Sequence, residues 1–304
     1  MNKEFAPVLV FAYRRSEHLK NTLAALNKSL ISKETDIFIF CDHWKNDNDK
    51  NEVIKAWSVV DEFNNNNNFK NVVIRKSQEN KGLAKSIIAG VSEVIDKYRK
   101  VIVVEDDLIT SPYFLSYMNE ALDFYKDNKK IWSVSGYTFF MRELKKTQHD
   151  VYFAGRCCSW GWATWNDRWE KTDWSMSGYD NFINNKREIK KFSEWGEDLP
   201  FLMKLQKEKK IDSWAIRWCY SSFTNGAVSV YPCKSLVSNQ GLDGSGTHCT
   251  LPTKGFESYY FDDKRDFYFE PPYESKTIRK QFSIKYARKL STRIIKKIYQ
   301  IFKL

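Results

Sequence analysis

Three consecutive carboxylates, Glu105-Asp106-Asp107, follow directly on the apolar run Val101-Ile102-Val103-Val104. Four β-branched residues of this kind read as a strand buried on both faces. Three negative charges at the end of a core strand are costly unless a cation or a cationic substrate group meets them. A divalent metal carrying a diphosphate is a chemical reason to build such a site, because hard cations share carboxylate and phosphate oxygens. A solvated strand end leading into a helix N-terminus also tolerates acids. The rest of the chain tips the balance toward the cation site.

The elements that must position these acids come from the hydrophobic pattern. Pro7–Ala12 reads as a first strand, Asp36–Cys41 as a second, Val72–Ile74 as a third and Lys100–Val104 as a fourth. Between them lie helical stretches: Ser16–Leu30 with Leu19, Leu23 and Leu26 in step, Glu52–Phe63, and the amphipathic Gly82–Tyr98. Ser16 reads as an N-cap and the five-Asn run 64–68 as a surface loop. A further helix is expected over Pro112–Tyr125. Strict strand–helix alternation predicts an α/β fold with a mostly parallel sheet flanked by helices. Right-handed crossovers then bring Ala12-Tyr13-Arg14-Arg15, Asp42 and the acidic triplet to one sheet edge, where ligands of open α/β sheets bind.

After residue 130 the pattern loosens. Ile131–Gly136 is strand-like, while Arg156–Trp169 is aromatic and turn-rich. Helices are expected over Phe201–Ile211 and Asp212–Asn225, and short strands over Val228–Tyr231 and Leu236–Ser238. Gly241–His248 reads as a flexible Gly-rich loop of the kind that closes over substrates. The organisation expected is a nucleotide-sugar half (1–130), an acceptor half (131–272) and a basic tail (273–304).

Charge narrows the partners. Ten of the eleven net positive charges belong to residues 276–304, which hold ten Lys or Arg and no acid. The other 275 residues balance 39 basic against 38 acidic side chains, so a nucleic-acid-binding body is not expected. No GxGxxG or GxxxxGK[ST] follows the first strand, which disfavours nicotinamide enzymes and P-loop kinases. Six cysteines match no metal-binding spacing, and the polar start carries no secretory signal. A cytoplasmic setting with free thiols is the expectation.

The triplet after a buried strand, then Pro112 and aromatics, then Trp132-Ser133-Val134-Ser135, resembles the N-acetylglucosaminyltransferase I family of metal-dependent, inverting GT-A glycosyltransferases. It resembles more narrowly the bacterial members that extend surface polysaccharide or lipopolysaccharide. The opening Pro7–Ser16 is similar to that family's first strand and nucleotide loop. The resemblance implies that Asp107 ligates Mn²⁺ (or Mg²⁺) beside the diphosphate of a UDP-sugar, with Asp106 and Glu105 on the ribose, the sugar or metal-bound water. It implies that Ala12, Tyr13 and Arg15 form the nucleotide loop and that Asp42 contacts uracil. Asp212 in Asp212-Ser213-Trp214 matches the family's base, although Ser213 stands where a second Asp is usual. Asp212 is alternatively a helix cap. Asp243 and Asp167 are fallback bases, and Asp243 is also assigned to the acceptor. His248 corresponds to a late-loop histidine near the metal. Trp160 and Trp162, on either side of Gly161, with Trp214, suit the acceptor floor, since indole faces pack on sugar C–H surfaces. They are equally ordinary core residues. Lys81 or Lys85 reaches phosphates from the helix entry Asn80-Lys81-Gly82, or Gly82 is simply a turn.

The function this implies is a hexosyltransferase acting from a UDP-sugar on a glycan acceptor, free or lipid-linked. A nucleotidyltransferase would need a Gly-rich, basic triphosphate loop after the first strand, which is missing. A non-catalytic glycan-binding protein is the remaining alternative. In 276–304 the residues Ala287, Leu290, Ile294, Ile298, Ile301 and Phe302 form an apolar stripe among cations. This basic amphipathic helix reads as a peripheral anchor on the anionic inner face of the cell membrane, each cation contributing about 1 kcal/mol. A helix packed on the catalytic domain is the other reading.

Overall fold

The apolar runs of the first half form strands with helices between them: β1 (Val8–Ala12), α1 (Ser16–Asn27), β2 (Asp36–Cys41), α2 (Asp47–Asn65), β3 (Asn71–Lys76), α3 (Leu83–Tyr98) and β4 (Lys100–Glu105). The computed structural model describes residues 4–243 and 266–287. The chain continues through β5 (Leu108–Thr110), α4 (Phe114–Tyr125), β6 (Ile131–Ser135), β7 (Val151–Ala154), β8 (Trp162–Trp165) and the single turn α5 (Asn166–Trp169). Helices α6 (Tyr179–Ile183), α7 (Lys186–Ser193), α8 (Asp198–Lys207) and α9 (Trp214–Thr224) follow. Strands β9 (Val228–Pro232) and β10 (Val237–Asn239) and helix α10 (Lys276–Lys285) complete the described fold.

Eight strands make one sheet in the order β3-β2-β1-β4-β8-β6-β9-β7. The pairings β1–β2, β2–β3, β1–β4 and β6–β9 are parallel; β8 and β7 run against their neighbours. This is the mostly parallel α/β arrangement expected. Both halves of the chain share it, with β8 as the seam between β4 and β6.

Side chains alternate between two cores, as the period of a strand requires. Leu9, Phe11, Val101 and Val103 face one core with Ile87 and Val91 of α3. Val8, Val10, Ile102 and Val104 face the other with Leu19 and Leu23 of α1 and Leu115 and Met118 of α4. Residues 101–104 are wholly buried, so the acidic triplet does stand on a strand covered on both sides.

Several local expectations change. Arg15, not Ser16, occupies the cap position of α1 and offers no side-chain cap. The helix α2 starts earlier than expected, where Asn46 caps it by accepting from the Asn48 N–H, and it runs into the Asn run, ending at Asn65. Ser213, not Asp212, caps α9 by accepting from the Ile216 N–H at 3.3 Å. Strand β8 stands inside the segment Arg156–Trp169 that reads as turn-rich, and β7 precedes it. The helix α10 packs on the domain: Ile278 and Phe282 are buried, and Phe282 meets the rings of Phe139, Tyr152, Trp195 and Tyr231. The remaining basic stripe from Leu290 onward lies outside the described residues.

Candidate active site at the sheet edge

Parallel β1, β2 and β4 end together, so their following loops meet. Thr22 of α1 donates to the Asp106 carbonyl at 2.9 Å and fixes the turn after β4. Arg15 reaches from the β1 loop to both acids: it pairs with Asp106, and with Asp107 Oδ2 at 2.8 Å. The Tyr13 N–H donates to Asp106 Oδ2 at 3.3 Å. Antiparallel pairing of β5 with β10 brings 239–241 over the triplet, where the Gln240 N–H donates to the Asp107 carbonyl at 2.8 Å. Gly241 is required at this close approach: a Cβ there would sit 2.1 Å from Asp107 Oδ2.

Two buried carboxylates therefore share one guanidinium, with the half-buried Glu105 directly before them. Burial pushes Glu105 up to about 8, with Asp107 and Asp106 adding to the rise and Arg15 opposing it. Burial also raises Asp106 against the pull of Arg15. For Arg15 burial works against the charge, but Asp106 and Asp107 outweigh it and keep the guanidinium protonated. The excess of hard oxygen donors over positive charge fits a divalent cation. Among the described residues no group of three or more His, Cys, Asp or Glu is arranged to hold a metal alone. One carboxylate suffices if phosphates and waters supply the other ligands.

Asp42 lies at the same edge, but its oxygens are already taken. Oδ1 accepts from the N–H groups of His43 and Lys81, both at 2.9 Å; Oδ2 accepts from Gly82 N–H at 2.8 Å and Asn80 Nδ2 at 3.2 Å. Its direct job is to tie the entry of α3 to the end of β2. Lys81 is used there through its backbone N–H, and its side chain is exposed. Replacing Asp42 with Asn turns one acceptor oxygen into a donor facing N–H groups. A loss of about 1–3 kcal/mol of stability is expected, read as a lower urea midpoint. An unchanged midpoint would show the turn is held without it.

A second feature opens beside this edge. A cavity of about 220 Å³ is lined by Tyr137, Arg156, Cys158, Trp160, Ser213 and Tyr286, among others. Trp162 of β8 pairs antiparallel with Val103 of β4, so the wall residue Trp160 lies level with the end of β4 and the cavity opens beside the triplet. Trp160 is half-buried and meets Tyr137 edge to face at 4.6 Å. Gly161 follows with φ of 65°, a conformation that turns the chain from the cavity wall into β8. Asp212 precedes Ser213 on the wall; its side chain is 58% exposed and pairs with Arg217 Nη2 at 2.8 Å.

The other predicted residues separate. Trp162 is wholly buried and Trp214 nearly so; they stack on each other at 5.0 Å within a cluster that includes Trp132, Trp169 and Trp218. Alternation along β8 turns Trp162 away from solvent, so neither can form an acceptor floor here. Asp243 is not among the cavity residues; it pairs with His18 of α1 at 3.2 Å. Asp167 is excluded as a base, because β8 is antiparallel to β4 and ends level with Lys100, at the opposite edge from Glu105. There it pairs with Lys129 and Arg168. His248 lies outside the described residues.

The GNT-I family profile matches residues 1–192, from before β1 to the end of α7. The chain belongs to the GNT-I family. No curated protein matches the sequence. Among solved structures, Staphylococcus aureus TarS is similar with 11% identity and a TM-score of 0.41 over 79% of this chain. This chain spans 37% of the length of TarS. Glucosyl-3-phosphoglycerate synthase from Mycobacterium tuberculosis, solved with Mn²⁺, UDP-glucose and phosphoglyceric acid, has 9% identity and a TM-score of 0.32. That similarity covers 55% of this chain and 58% of the other.

In this GNT-I family chain, sequence reasoning missed Asp49. It accepts from the Tyr13 hydroxyl at 2.8 Å and from Arg14 at 2.7 Å, and so clamps the β1 loop from the first turn of α2. Burial and that hydrogen bond push Tyr13 up to about 12. An acid in the first turn of a helix is the ordinary helix-dipole pattern, so nothing local distinguished Asp49.

Proposed function

We propose that this chain is a metal-dependent glycosyltransferase that moves a hexose from a UDP-sugar to a glycan acceptor with inversion, in the synthesis of a bacterial surface polysaccharide. The observation that carries the reading is the pair of buried carboxylates, Asp106 and Asp107, held by one arginine with Glu105 beside them, next to a cavity with an aromatic wall. Asp107, with Asp106, is the residue that would hold Mn²⁺ or Mg²⁺. A bound divalent cation supplies neutralisation of the charge that develops on departing UDP. The chain's own residues do the rest. Ala12, Tyr13 and Arg15 border the nucleotide, Glu105 the sugar, and Lys81 and His248, the latter outside the described residues, are the diphosphate candidates that the family resemblance offers.

On the acceptor side Asp212 takes the hydroxyl proton as the acceptor oxygen bonds to the anomeric carbon and the bond to UDP breaks. Arg217 holds its carboxylate in place. Attack from the face opposite UDP inverts the centre. None of the helices among the described residues is long and apolar enough to cross a membrane. Peripheral attachment through the basic residues beyond α10 suits a lipid-linked acceptor and an enzyme on the cytoplasmic membrane face.

Thermal stabilisation by UDP, measured with and without Mn²⁺, tests the reading. A rise in Tm that requires both is the expected result. A rise with glycans alone, insensitive to UDP and Mn²⁺, would favour a non-catalytic glycan-binding protein.

A further inference from the structure

The cavity beside the triplet has a wall that the family match does not include. Tyr286 follows directly on α10, well past residue 192, and its ring faces the Arg156 guanidinium with Cζ 3.6 Å from the ring centre. Arg156 is in turn held flat by Asp198, which accepts from Nη1 at 2.8 Å and Nη2 at 2.7 Å. The helix behind Tyr286 is fixed, because Phe282 is buried in an aromatic cluster. The other wall is the Trp160–Tyr137 pair.

Two features of this space select a ligand. Its volume, about 220 Å³, suits one monosaccharide ring rather than a longer stretch of glycan. Its aromatic edges suit the C–H faces of a pyranose. The one cation among the described lining residues, Arg156, is already neutralised by a two-point pairing with Asp198. Nothing in this wall rewards a phosphate or a uronate.

Resting on the glycosyltransferase reading, we propose that this cavity takes a single uncharged pyranose unit of the acceptor, and that Tyr286 is the residue that selects it. Acceptor recognition is thus built on the same segment that leads into the basic end of the chain.

The test is saturation-transfer NMR on the full chain with methyl glycosides of glucose, galactose, N-acetylglucosamine and glucuronic acid. At least one neutral glycoside is expected to bind and the glucuronide to bind more weakly. Tyr286→Ala is expected to weaken the neutral glycoside about tenfold, while Tyr286→Phe keeps it, because the ring and not the hydroxyl makes the wall. Ser159→Phe, a loop change that fills the cavity from another side, is expected to abolish binding and keeps the test alive should Tyr286→Ala fail to fold. Tighter binding of the glucuronide overturns the proposal. So does binding that survives both Tyr286→Ala and Ser159→Phe, or binding of none of the four by the native chain. The Tm shift by UDP with Mn²⁺ is read on the same native samples. A missing shift alongside normal glycoside binding would fail the glycosyltransferase reading and leave the cavity standing as a sugar site.

Discussion

Alanine at position 107 is expected to erase metal-dependent nucleotide binding while leaving the fold intact. The Tm rise produced by UDP with Mn²⁺ falls to that of UDP alone, and transfer drops by about 10³-fold, the several kcal/mol that a cation supplies to a departing diphosphate. Stability does not fall with it. Arg15 keeps Asp106 as a partner, and one of the mutually repelling carboxylates that raise Glu105 is gone. Asp107→Glu is expected to fail as well, since Gly241 leaves no room for a longer arm. Gly241→Ala should copy the defect from the outside, by pushing a methyl group onto Asp107 Oδ2. Calorimetric titration of UDP into each variant with and without Mn²⁺ measures this. Full metal dependence in Asp107→Ala would remove the triplet from the donor site.

The second large effect is expected at Asp212. Asp212→Asn keeps the shape and the contact with Arg217, but loses the ability to take a proton. Transfer falls by about 10²–10⁴-fold, the usual worth of a positioned base. UDP and Mn²⁺ still raise Tm as in the native chain, because Asp212 belongs to the entry of α9 and not to the β4 edge. The decisive comparison is kcat for transfer against nucleotide affinity. Loss of both together would mean that Asp212 serves the donor and that the base lies elsewhere.

The first half of the chain was legible in the sequence because parallel strands are buried on both faces and so appear as unbroken apolar runs. Residues 8–12, 36–41 and 100–104 announce themselves this way, and the amphipathic period of 83–98 marks its helix. Once those elements are placed, the meeting of Arg15 with Asp106 and Asp107 follows from topology. Other parts had no local signature. Trp162-Ala163-Thr164-Trp165 is a strand only because β4 and β6 flank it, and its four residues are too short to show a period. That is why Trp162 looked available for a ligand and is instead packed inside. The donors gathered on Asp42 come from residues one, 38, 39 and 40 positions away, a convergence that spacing alone does not reveal. Asp212 was placed correctly at the mouth of α9, yet the capping work falls to its neighbour Ser213.

The stacked indoles beneath the sheet have a practical consequence. Trp132 comes from β6, Trp162 from β8, Trp169 from α5, and Trp214 and Trp218 from α9, with ring centres 5.0–5.8 Å apart in the closest pairs. Chromophores this near couple electronically, so the docked bundle of elements should give an exciton couplet in the circular dichroism spectrum. The couplet disappears if any one of the four elements undocks, and it responds little to events at the solvent-facing Trp160. Melting the protein while following that band alone would therefore time the assembly of this part of the molecule separately from the loss of helix.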